Sequence, residues 1–195
     1  MTTVDRLWFL ADEARQRAAQ THHRLCERHG DFVEVTHSRR VSRERFRTLA
    51  RRVRETGSPF GTHTVVCREG GGVLLVRHEG VDRWVIPGGE PRPDEEFREA
   101  AARELREEAG VSATYDGVTL VSRFEVTDGE HACWGVVPSF LARVEPTEPT
   151  VNDPDGEISA ARWFAFDRLP EDTRDRADLL AWYDRHGPER RPDRR

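Results

Sequence analysis

Apolar residues recur every three to four positions from Val4 to about Arg28, at Leu7, Leu10 or Ala11, Ala14, Ala18 and Leu25, with Glu13, Arg15 and Arg17 between them. That period predicts an amphipathic helix ending at Gly30. After a short apolar stretch, Phe32 to Val35, a second helix is expected from an N-cap at Ser42, with Phe46, Leu49, Ala50 and Val53 on one face and a stop before Gly57 and Pro59. Residues 1–60 therefore read as an N-terminal helical hairpin. The breaker cluster from Gly57 to Gly61 then marks a boundary, because beyond it the period shortens to that of strands. Thr62 to Cys67 and Val73 to Val76 flank Gly70, Gly71 and Gly72 as a hairpin, and Trp84 to Ile86 forms a short strand ending at Pro87. Glu95 to Ala109 is strongly helical, with Gly110 in the position of a C′ glycine. Val118 to Val126 and Cys133 to Val144 make a second hairpin across Thr127, Asp128 and Gly129. Glu145 to Gly156, with three prolines, is a loop; Ile158 to Phe166 is a strand and Thr173 to Arg185 a helix. The Pro- and Arg-rich tail, residues 188–195, is expected to fray, which leaves residues 61–187 as a single α/β domain after the helices.

Charge and cysteine usage narrow the class of partner. The 36 acidic and 31 basic residues give a formal net charge of -5, which offers no overall electrostatic footprint for nucleic acid. Every basic residue is Arg, so Schiff-base and P-loop lysine chemistry are excluded and arginine must do any phosphate binding. Cys26, Cys67 and Cys133 are widely spaced, with no C-x-x-C pair, and are expected to be reduced and mostly buried thiols. Acids at Asp5, Asp12 and Glu13 interrupt the first segment, and no run is apolar enough for a signal peptide or membrane span. A soluble cytoplasmic protein, with no membrane partner, is the expectation.

Chemistry concentrates between Gly88 and Val111. In a helix, Glu104, Glu107 and Glu108 stand at i, i+3 and i+4, so their carboxylates are neighbours on one face. Three adjacent carboxylates repel one another unless a strong counter-charge is supplied, and oxygen-rich clusters suit hard cations such as Mg²⁺ or Mn²⁺. The hexamer Arg103 to Glu108, taken alone, fits better a solvated face in which Arg103 and Arg106 pair with Glu99 and other acids.

The surrounding residues reverse that balance. Gly89, Glu95, Arg103, Glu104, Leu105, Glu107, Glu108, Gly110 and Val111 fill every specified position of the pattern G-x5-E-x7-R-E-U-x-E-E-x-G-U, with U a bulky aliphatic residue. The segment resembles the Nudix box, and the likeness extends from about Thr62 to Leu169 through Trp84 to Gly89 and Gly156 to Phe164. The resemblance implies an α/β fold, a mixed β-sheet sandwiched between α-helices. It implies that Glu104, Glu107 and Glu108 hold divalent metal, Mg²⁺ with Mn²⁺ as a substitute, that the Gly88 carbonyl adds a ligand, and that Glu157 reaches the same ions. Glu104 is the candidate general base, a role that a separate loop sometimes takes in this family, and Arg103 would orient Glu104 or Glu95. The implied reaction is pyrophosphohydrolysis of a small-molecule nucleotide, a nucleoside diphosphate linked to a second moiety as in ADP-ribose. Two alternatives stand beside it: a sanitising enzyme for nucleoside triphosphates or oxidised nucleotides, and a nucleotide-sensing module without turnover. A proline or tyrosine some fifteen to eighteen residues past the box marks some branches, and Val126 to Gly129 contains neither.

Other positions carry two readings. Arg77 and His78 follow a strand that should approach the site, so Arg77 is a candidate substrate-phosphate ligand, with a solvated strand end as the alternative. Trp134 fits a half-buried sheet tryptophan better than a base-stacking platform. His22 and His23, adjacent on a helix, cannot both face one metal. The N-terminal helices suit dimerisation, giving a homodimer, or packing onto the domain; a lid is the third option.

Overall fold

The computed structural model describes residues 6–68, 71–145 and 147–187. The expected helix start at Val4, Gly70 of the glycine turn, Pro146 of the loop and the tail from Pro188 fall outside that set. In chain order the elements are α1 (Arg6–His29), β1 (Val33–Arg40), α2 (Arg43–Thr56), β2 (Thr62–Arg68), β3 (Val73–His78), β4 (Arg83–Val85), β5 (Gly88–Gly89), α3 (Phe97–Ala109), β6 (Thr114–Thr127), β7 (Ala132–Val144), β8 (Ile158–Phe164) and α4 (Arg176–His186). The eight strands follow the hydrogen-bonded order β1-β6-β7-β2-β3-β4, with β5 on β2 and β8 on β3. The sheet is mixed, as expected, since β1 runs parallel to β6 whereas β3 is antiparallel to both β4 and β8. Among the described residues, no helix is long and apolar enough to cross a membrane.

Two compact units divide the chain. One takes Thr62 and the residues before it with Val118–Ser139; the other takes His63–Gly117 and Phe140 onward.

In the first unit, α1 buries Leu7, Ala11, Ala14, Ala18 and Leu25, the positions its period marks. Ala14 and Ala18 have no exposed surface, and their small side chains let α2 come close with Phe46, Leu49, Ala50 and Val53. Both ends of α2 are those its sequence calls for. The Ser42 hydroxyl accepts the Arg45 N–H at 3.2 Å, and Gly57 closes the helix in the left-handed region at φ 89, its N–H donated to the Val53 carbonyl at 2.7 Å. A side chain at Gly57 would put its Cβ 2.2 Å from the Thr21 hydroxyl, so glycine is required there twice over. The two helices pack as expected, but the stretch joining them is a strand: β1 pairs in register with β6 from Val33↔Leu120 to Arg40↔Thr127. Trp134 is half-buried against this core, with the Arg123 guanidinium 4.0 Å from its ring centroid, which favours the sheet-packing reading. His22 pairs with Glu34 at 2.8 Å and His23 with Glu27 at 3.3 Å, so the two imidazoles diverge.

In the second unit, β2 and β3 form the expected hairpin, with Cys67 opposite Val73. Its core joins Val66, Leu74 and Val76 to Leu105 and Ala109 of α3 and to Val144 and Ile158. α4 starts at Arg176 rather than Thr173, because Asp175 takes a left-handed conformation at φ 52 and the chain turns before it. All three cysteines are free; Cys67 and Cys133 are buried and Cys26 is exposed. Burial pushes the Cys67 thiol up to about 12 and the Cys133 thiol to about 11, which makes both inert packing residues.

Candidate active site

The site lies within the second unit and is assembled on α3. Leu105 and Ala109 fix the rotation of this helix by packing into the core, so its charged positions are carried at the core's margin. At its start the Glu99 carboxylate accepts the Glu96 N–H at 3.0 Å; at its end Gly110 turns left-handed at φ 65 and closes onto the Arg106 carbonyl. The short strand β5 lies beside the helix, and its glycines set the clearance. A Cβ on Gly89 would stand 2.4 Å from Glu104 Oε1.

Arg103 is the hub. Its guanidinium forks onto Glu95, Nε to Oε1 and Nη2 to Oε2, each at 2.9 Å. Nη1 reaches Glu104 Oε1 at 2.7 Å and Glu107 Oε2 at 3.0 Å, while Nη2 also meets the Glu90 carbonyl at 3.1 Å. The side chains of Arg103, Glu95 and Glu104 are 12%, 15% and 17% exposed, so these are partly desolvated, charge-assisted bonds rather than surface pairs. The hydrogen-bonded guanidinium holds Glu95 below the usual carboxylate range. Glu104 moves the other way: burial raises its proton affinity despite Arg103. Arg92 adds a second cation to Glu107 at 3.3 Å.

Glu108 is the most buried acid of the cluster, with 7% of its surface exposed. Its Oε2 accepts the Gly88 N–H at 2.9 Å, the one hydrogen bond it makes among the described residues. Burial pushes this carboxyl up to about 8, and the negative charges of Glu104, Asp153 and Glu157 add to the effect. A desolvated carboxylate surrounded by like charges is the environment that a divalent cation relieves. The donor set, all oxygen, suits Mg²⁺ or Mn²⁺, so the residues fit the implied metal.

Of the positions marked from the sequence, Arg103 is bonded to Glu104 and Glu107 and Gly88 to Glu108, while Glu104 and Glu157 lie near enough to act on Glu108 electrostatically. Arg77 is placed differently. It forms ion pairs with Asp82 and Asp172, so its charge is already matched by two carboxylates. His78 meets Glu157 at 3.5 Å.

Asp153, Arg92 and the Glu90 carbonyl went unmarked in the sequence. Asp153 takes the N–H groups of Glu157 and Ile158 at 2.6 and 2.8 Å, which folds the loop so that Glu157 leads into β8. The sequence signal available for it is the Asp-Pro-Asp-Gly turn from Asp153 to Gly156.

Gly89→Ala tests the fit of helix to strand. The clash falls on the far end of a flexible glutamate, so Glu104 yields and the backbone does not. We expect the thermal midpoint to change little, while kcat drops about a hundredfold, the order of effect of an ångström-scale misplacement. Thermal scans paired with steady-state kinetics check this; unchanged kcat overturns it.

An α/β chain with clustered carboxylates on a glycine-flanked helix defines the class, and comparison with known proteins gives the family. Residues 58–183 match the NUDIX domain model, and the chain belongs to the NUDIX family of hydrolases. A putative 8-oxo-dGTP diphosphatase of Bacillus subtilis (strain 168) is 30% identical over 111 residues, covering 56% of this chain and 68% of that protein. Diphosphoinositol polyphosphate phosphohydrolase 2 of Rattus norvegicus is 40% identical over 81 residues, 41% of this chain and 44% of that protein, so the chain spans under half of that relative's length. The NUDIX domain of Shewanella oneidensis NrtR, solved with ADP ribose, superposes with a TM-score of 0.50 at 18% identity, over 63% of this chain and 84% of that one, a likeness of fold.

Proposed function

We propose that the protein is a Mg²⁺-dependent pyrophosphohydrolase that cleaves the phosphoanhydride of a nucleoside diphosphate linked to a second moiety. The observation that carries this is the convergence of Glu104 and Glu107 on Arg103 near the buried Glu108, which the Gly88 N–H ties to β5. Glu104, Glu107, Glu108 and the Gly88 carbonyl would hold the cation, with Glu157 at its edge. When bound, the metal supplies charge neutralisation at the phosphates and acidifies a bound water.

The chain's own groups supply the remainder. Glu104, its basicity raised by burial, takes the proton of the attacking water. Water oxygen bonds to one phosphorus, the bridging P–O bond breaks, and the other phosphate leaves with the bridging oxygen. Arg103 keeps Glu104 and Glu107 in place during this exchange and holds the Glu95 carboxylate apart from them. Arg92, exposed and paired with Glu107, supplies a cation for the leaving phosphate.

A second reading, a nucleoside triphosphate pyrophosphatase acting on oxidised nucleotides, is favoured by the Bacillus subtilis relative. Product analysis across a nucleotide panel with Mg²⁺ separates the two. ADP-ribose yields AMP and a ribose phosphate, whereas an oxidised deoxynucleoside triphosphate yields its monophosphate and pyrophosphate. Binding without turnover on any member would overturn both in favour of a sensing module.

Glu108→Gln keeps the shape of the side chain and its bond to the Gly88 N–H, but removes a charge from the cation site. Calorimetric Mg²⁺ affinity is expected to weaken about tenfold or more while the fold persists, because the substitution relieves repulsion among buried acids. Unaltered affinity would remove Glu108 from the ligand set.

A further inference from the structure

We propose that the outward face of α2, together with the end of β1, is a docking surface for the phosphate backbone of duplex DNA. Eight of the chain's 31 basic residues lie between Arg39 and Arg54, where Glu44 is the single acid. The net charge of -5 therefore averages over a strongly polarised molecule and conceals a local basic excess.

Helix geometry turns this excess into a stripe. Arg43, Arg47, Arg51 and Arg54 stand at i, i+4, i+8 and i+11, which at about 100° per residue confines them to a band roughly 80° wide and about 16 Å long. All four are exposed, while Phe46, Leu49, Ala50 and Val53 bury the adjoining face at no more than 2% exposure. The stripe is thus locked outward by the core beneath it. At its two ends, Arg43 meets Glu130 at 2.9 Å, and Arg54 meets Glu55 at 3.4 Å and Glu13 at 3.7 Å. All three are exposed pairs that a phosphate can displace at little cost. Between them, Arg47 and Arg51 carry no ion pair among the described residues. Arg39 and Arg40 extend the exposed basic surface along the chain from the end of β1.

The side chains that are absent from the face select the occupant. α2 exposes no aromatic residue, so unstacked bases of a single strand would find no platform. It also exposes no aliphatic side chain that could anchor in a bilayer. A row of guanidinium forks alone matches the dense, rigid phosphate rows of a duplex, which are bound by charge and geometry without base reading.

The 195-residue chain is titrated by fluorescence anisotropy against a labelled mixed-sequence duplex, the same strand unpaired, and vesicles containing phosphatidylserine. We expect binding tightest to the duplex. It should weaken on the order of a hundredfold between roughly 50 and 200 mM salt if about four arginines displace counterions. Arg47→Glu with Arg51→Glu should lower duplex affinity at least about tenfold and flatten the salt slope. The neutral pair Arg47→Gln and Arg51→Gln, which places no new acid on the helix, should lose less and in the same direction. Circular dichroism confirms folding of each variant. The absence of duplex binding at low salt, an affinity indifferent to either double variant, or a preference for the vesicles or the single strand would each overturn the proposal.

Discussion

Glu104→Gln should reduce kcat by about a thousandfold, within the range assigned to a lost general base, while leaving the fold and thermal midpoint nearly unchanged. Glutamine fills the same space beside Gly89 and can still accept the Arg103 Nη1–H that the carboxylate accepts at 2.7 Å. What it cannot do is take a proton or contribute charge to a cation. Because burial raises the basicity of Glu104 in the folded chain, the group being removed is the one whose environment most favours that step among the carboxylates bonded to Arg103. Single-turnover kinetics with saturating substrate and Mg²⁺ check the prediction. Loss confined to KM would assign Glu104 to binding, and a variant of wild-type rate would move the base to another loop.

Arg103→Ala should be the most destabilising single change in the site. Removing the guanidinium deletes bonds to Glu95, Glu104, Glu107 and the Glu90 carbonyl and leaves three partly buried carboxylates without their common partner. Stripping one member from such a network costs about 3 kcal/mol, large against a typical domain stability. Urea denaturation reads it out. The deficit should depend on pH in a defined sense. Arg103 depresses the folded-state pKa of Glu95, so the stability that Glu95 contributes is full above its unfolded value and is lost as pH falls through the folded one. Wild type and variant should therefore converge below about pH 4, and Mg²⁺ should narrow the gap at neutral pH by supplying counter-charge. A gap that is constant with pH would mean that Arg103 acts by packing alone.

Local signals in the sequence were sufficient where local physics decides the structure. Ser42, Gly57 and Gly110 terminate helices because capping needs only neighbours a few residues away. The nearness of Glu104 to Glu107 was legible for the same reason, since they stand three residues apart on α3 and share the Arg103 guanidinium. β1 was read only as a short apolar stretch: its charged sequence has one buried residue, and it becomes a strand by pairing with β6 some 87 residues away. Arg77 lies inside β3 rather than after it, and the acids that engage it, Asp82 and Asp172, stand 5 and 95 residues further along the chain, the second beyond the reach of any local pattern. Asp153 acts through backbone bonds within a loop, for which residue spacing gives little guidance.

The loop after β7 is laced to the last turn of α3. Thr150 donates its N–H to the Ala109 carbonyl at 2.8 Å, and Asn152 donates to the Glu107 carbonyl at 3.2 Å, while Asp153 closes the next turn onto Glu157 and Ile158. Two of the helix's unfilled acceptors are thereby occupied by the segment that bears the remaining acids. Tolerance to insertion should accordingly be lopsided: added residues upstream of Pro149 lengthen a tether, whereas a single one between Asn152 and Glu157 breaks the lacing and shifts Asp153 and Glu157 against the helix.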